Sequence, residues 1–122
     1  MTTFRFSAAL VLLLSAACGS GAPHHVDGRP PANTRLGEIV RAPKFEDAAK
    51  ELQQFAEARL NDRTALRSEF LQAGFHRSVY TDGPDNSKCE QFGLKTTESW
   101  PSVYLVSICE GKVYASAGQQ AP

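Results

Sequence analysis

The spacing of apolar residues changes at Gly74. Before it, Phe45, Ala48, Ala49, Leu52, Phe55, Ala56, Leu60, Leu66, Phe70 and Ala73 recur at steps of three and four, which gathers them on one side of a helix. Pro43 suits a first helical position, Glu46 and Asp47 suit the positive end of the helix dipole, and Gly74 suits the stop. The pattern predicts one long helix, or a helix broken near Asn61-Asp62, where either residue can cap a new start.

Beyond Gly74 the period is two. Phe75 to Thr81, Cys89 to Thr96, Val103 to Cys109 and Lys112 to Ala117 read as strands, with Asp82 to Ser87 as a turn-rich loop and Glu110-Gly111 as a tight hairpin. Setting Cys89 opposite Cys109 in an antiparallel pair puts Glu90 opposite Ile108, Phe92 opposite Val106 and Leu94 opposite Tyr104. The hairpin then sets Ile108 beside Val113 and Val106 beside Ala115, so Phe92, Leu94, Tyr104, Val106, Ile108, Val113 and Ala115 can form one core face of the sheet. The expected fold is therefore α+β: one long or broken N-terminal helix packed on a four-stranded antiparallel sheet. A Cys89–Cys109 disulfide would lie on the face away from the helix, closing a loop that on chain-entropy grounds contributes about 3 kcal/mol. The two cysteines have neither the Cys-x-x-Cys spacing of a redox pair nor a sequence-local histidine that would suggest a metal.

The full chain has 122 residues, with 13 Lys and Arg against 13 Asp and Glu, which fits one domain and offers no cationic excess for nucleic acid. The third cysteine, Cys18, needs another role. Phe6 to Ala17 is an apolar run after the single cationic side chain Arg5, and at twelve residues it is too short to span a bilayer. It ends Leu14-Ser15-Ala16-Ala17-Cys18-Gly19.

This stretch resembles a bacterial lipoprotein signal peptide with its lipobox. The resemblance covers residues 1–21 and implies that Cys18 becomes the mature N-terminus, carrying a diacylglyceryl thioether and a further acyl chain such as palmitate. It implies a cell-envelope protein facing the periplasm, and Gly19 after the cysteine favours the outer membrane. Two or three acyl chains, at about 0.8 kcal/mol per buried methylene, hold a protein on a membrane without a spanning helix. An ordinary secretory signal cut after Ala17 is the alternative, which would leave a soluble periplasmic protein. No family resemblance extends to the remainder of the chain.

The expected organisation is a signal peptide over 1–17, the lipid-bearing Cys18 with a Gly- and Pro-rich tether over 18–42, and a small α+β domain over 43–122. Within that domain Arg59, Arg63 and Arg67 stand at i, i+4 and i+8. Such a ridge is a candidate partner or anion site, because the guanidinium fork binds carboxylate or phosphate with paired hydrogen bonds. The plainer expectation is a solvated ridge, or one laid across the sheet edge. Trp100, beside Pro101 in the connection between the second and third strands, is a candidate contact anchor, although closing one end of the core is the favoured role.

Catalytic chemistry has no motif. His24-His25 lacks further ligands, and Gly19-Ser20-Gly21 lacks the flanking strand and helix of a phosphate loop. His76 falls on an alternating strand, while Asp82, Asp85 and Asn86 fit turn chemistry better than a calcium loop. No metal and no cofactor is expected. The sequence points to a non-enzymatic binding or assembly module with an envelope protein as partner, or alternatively to an inhibitor of a secreted hydrolase acting through Trp100 or the arginines.

Overall fold

The computed structural model describes residues 26–121, so Cys18 and the expected signal peptide over 1–17 lie outside the described residues. A short helix α1 (Arg35–Ile39), two longer helices α2 (Phe45–Glu57) and α3 (Arg63–Gln72), and strands β1 (His76–Tyr80), β2 (Cys89–Lys95), β3 (Ser102–Cys109) and β4 (Lys112–Gln119) follow in chain order. The strands form one antiparallel meander in the order β1-β2-β3-β4.

Of the two forms expected over 43–73, the structure has the broken one: two helices that part at Asp62. Asp62 caps α3, its carboxylate accepting from the Ala65 N–H at 3.1 Å, and a polar side chain that satisfies a free helix-end donor favours a new start over continuation. Pro43 stands just outside α2, whose N-cap is Lys44. At the far end, Gly74 at φ 94° lets the Gly74 N–H reach Leu71 O and the Phe75 N–H reach Phe70 O. That paired closure of a helix end needs a left-handed residue, which glycine adopts without steric cost.

The sheet register agrees with the expected one. Cys89 pairs with Cys109, Glu90 with Ile108, Phe92 with Val106 and Leu94 with Tyr104, and Ile108 pairs with Val113 across the hairpin. The disulfide between Cys89 and Cys109 is formed, and both cysteines are buried. Glu110 at φ 50° and Gly111 at φ 83° make the two-residue turn whose positive φ values match the twist of the flanking strands.

Phe70 centres the core. Its ring stacks on Phe92 at 4.7 Å and meets Phe55 and Phe75 edge-on at 5.5 Å and 4.9 Å, tying α2, α3 and β2 together. Leu36, Ile39 and Val40 belong to the same core, so these residues are not part of a tether, contrary to the expectation over 18–42. The correction has a physical cause. Thr34 caps α1 by accepting from the Gly37 N–H at 3.0 Å, and three apolar residues at helical spacing then bury despite their Pro- and Gly-rich surroundings. A second correction concerns Trp100, which is 58% exposed and closes no part of the core. No helix among the described residues is long and apolar enough to cross a membrane.

Candidate anion-binding site

Alternation along β2 turns Glu90, Phe92 and Leu94 toward the helices, so a carboxylate enters a face otherwise made of apolar side chains. Glu90 is only 6% exposed. An ionised carboxylate at such a depth requires partners, and three arginines supply them. Arg63 and Arg67 stand one turn apart on α3 and therefore share a side. Arg77 reaches in from β1.

Arg63 Nη2 donates to Glu90 Oε1 at 2.5 Å, Arg67 Nε donates to Oε2 at 2.5 Å, and Arg77 Nε donates to the same Oε2. Burial alone would push the Glu90 carboxyl up, but hydrogen bonds from Arg67, Arg77 and Arg63 outweigh it and hold it at about 2. The Glu90 hydrogen bond in turn raises Arg67 above its ordinary value.

Three cations surround one anion, so the cluster keeps two positive charges that Glu90 does not balance. Each guanidinium carries five N–H donors, far more than one carboxylate accepts. Arg63 Nε is buried with no hydrogen-bond partner. The arginine side chains are 35–41% exposed and open onto a groove of about 250 Å³, where Lys88 and Glu110 at the margin cancel each other's charge. Its floor is β2 beside the disulfide, a rigid base for polar recognition.

The three-arginine ridge is accordingly not one ridge. Arg63 and Arg67 join the groove, whereas Arg59 lies in the loop before α3, where it pairs with Glu69 at 2.8 Å and lies over the Phe55 ring at 3.6 Å. The break at Asp62 separates Arg59 from the other two. Glu90 and Arg77 are the members that spacing along the helix does not reveal. The available sign is an acidic residue at a core-facing strand position, a placement that demands a cation from elsewhere in the fold.

A second ionic cluster occupies the other end of β2. Arg29 Nε donates to Val40 O at 2.9 Å, and its Nη1 pairs with Asp27 at 3.1 Å and Glu98 at 2.9 Å. Its Nη2 approaches Ser102 Oγ and Tyr104 Oη, both at 3.4 Å, while the Tyr104 hydroxyl donates to Val40 O at 2.7 Å. Burial would lower the Arg29 pKa, yet the hydrogen bonds to Glu98 and Tyr104 hold it above its ordinary value.

His76 is exposed on the edge strand, and Asp82, Asp85 and Asn86 lie on an exposed turn. Among the described residues no group of three or more His, Cys, Asp and Glu side chains is placed to hold a metal ion. No protein-family model matches the chain, and no curated protein or solved structure does so either.

Proposed function

We propose that this is a small lipid-anchored protein of the bacterial cell envelope, acting as a non-enzymatic binding or assembly module. Its site is the Arg63, Arg67 and Arg77 groove, which takes an anionic group, carboxylate or phosphate, presented by an envelope partner. The observation that carries this reading is the surplus of guanidinium donors around Glu90 in an open groove. Cys18, bearing the lipid, supplies the attachment, with the outer membrane favoured by Gly19.

The binding half is tested by titrating the mature protein with inorganic phosphate and with glutarate while following the arginine side-chain NMR signals. Saturable shifts at Arg63, Arg67 and Arg77 are expected, and they should vanish in the folded double variant Arg67→Gln/Arg77→Gln. Linear, unsaturating shifts, or equal binding by the double variant, would reject the groove. The anchoring half is tested by the intact mass of protein extracted from envelopes. Unmodified Cys18 there would reject the anchor.

A further inference from the structure

Trp100 is the chain's only tryptophan, and more than half of its surface is open to water. The connection that carries it, residues 96–101, is closed at its base. The Thr96 N–H donates to Ser102 O at 2.9 Å, the Ser102 N–H donates to Thr96 Oγ1 at 2.8 Å, and the Gln120 N–H donates to Pro101 O at 2.9 Å. Pro101 itself is buried. The indole is therefore held outward by a tied loop, where its apolar area gains nothing from the protein's own core.

The same end of the sheet receives the N-terminal segment. The Thr97 N–H donates to Asp27 O at 2.9 Å, and the backbone at Gly28 lies so close to Thr96 and Thr97 that an added Cβ would be 3.3 Å from either. Trp100 follows Thr97 by three residues, which limits their Cα separation to about 11 Å. Upstream, Val26 lies eight residue steps beyond Cys18, a span of about 28 Å at full extension. The arginine groove is at the opposite end of β2, about 20 Å away along the strand.

We infer that Trp100 seats in the headgroup layer of the bilayer that carries the Cys18 lipid, orienting the domain with its arginine groove pointing away from that membrane. The inference rests on the proposed lipid anchor. Indole rings favour the boundary between water and hydrocarbon, being apolar with one N–H donor. Lys95, exposed at the same end, supplies a cation for lipid phosphates, while Glu98 has its charge paired with Arg29. A single aromatic side chain suffices because the lipid has already confined the domain, so seating the ring is an intramolecular step at high effective concentration.

The lone tryptophan is also the reporter. Lipid-bearing protein is reconstituted into vesicles of phosphatidylethanolamine and phosphatidylglycerol containing lipids brominated near the headgroup or deep in the chain, beside its Cys18→Ser counterpart mixed with the same vesicles. The expected result is a shift of emission to shorter wavelength with stronger quenching by the shallow bromines, absent from the Cys18→Ser protein. If the lipid-bearing protein floats with the vesicles while its emission stays unshifted and unquenched, the seating is overturned and the anchor stands. Trp100 would then be free for a protein partner such as a secreted hydrolase. If extracted protein carries no lipid on Cys18, the anchor fails and takes the seating with it.

Discussion

The two ionic clusters at opposite ends of β2 are inverses of each other. At the Lys95 end a mostly buried cation, Arg29, holds two acids, whereas at the Cys89 end a buried acid, Glu90, holds three cations. Both bury the central charge and leave its ionic partners partly in water. What differs is the count of donors and acceptors. Arg29 finds main-chain and side-chain acceptors for all three of its nitrogens, so its cluster is closed and acts as a latch for the N-terminal segment. Glu90 uses up few of the arginine donors, so its cluster is left open to a further anion. A buried charge thus marks structure in one place and a candidate site in another, and stoichiometry separates the two.

Removing the central acid should have the largest effect. Glu90→Gln keeps the shape but leaves three guanidiniums crowded around a neutral amide. Because the folded-state pKa falls from an ordinary 4.5 to about 2, linkage assigns the charge about 3 kcal/mol of stability at neutral pH. The sign is that of a depressed carboxyl. The stabilisation is complete above the ordinary value and is lost as pH falls from there toward about 2. Urea unfolding of both proteins across that range should show the gap closing on acidification. A gap that holds constant with pH would mean that packing, and not the charge, holds the cluster.

The latch should come next. Arg29→Met keeps the buried stem and removes the guanidinium, leaving Asp27 and Glu98 without their cation and Val40 O dependent on Tyr104 alone. Breaking a buried pair costs 3–5 kcal/mol in general, but these acids are 33% and 41% exposed, which reduces the expected loss to about 2 kcal/mol. The loss should be local as well. Hydrogen exchange should accelerate at the Thr97 amide, which donates to Asp27 O, while amides in the β2–β3 ladder near the disulfide keep their protection. Uniform acceleration across the sheet would contradict a latch at one end.

The sheet and the groove differ in how far the sequence disclosed them. The β2–β3–β4 register was legible because a cysteine pair and a two-residue turn constrain it independently and agree. The place of β1 was not, since four of its five residues are exposed and an edge strand with no buried side carries little pattern. Leu36, Ile39 and Val40 were hidden because a single helical turn is too short to establish a period among Pro and Gly. For the groove, Arg63 and Arg67 were visible as neighbours on a helix. Their joining with Arg77 around Glu90 spans sequence separations of 27, 23 and 13 residues and exists only once α3 covers the β1–β2 edge. Arg59 looked equivalent to the other two until Asp62 broke the helix.

The smallest effect sharpens the comparison most. Where cations outnumber acids, no single cation is indispensable to folding, so Arg67→Gln should lower stability only slightly, in keeping with its 41% exposure. Arg63 and Arg77 still hold one Glu90 oxygen each, and glutamine's amide can donate to the second position on Oε2. A similar replacement of the lone cation at the other end is expected to cost clearly more. The measurement is a pair of denaturant midpoints for Arg67→Gln and Arg29→Gln at neutral pH with unchanged m-values. Equal losses would show that the three arginines are a structural set with no donor to spare. A small loss at Arg67 beside a large one at Arg29 would leave the surplus guanidinium without a structural purpose, which is the condition for reading the groove as a site.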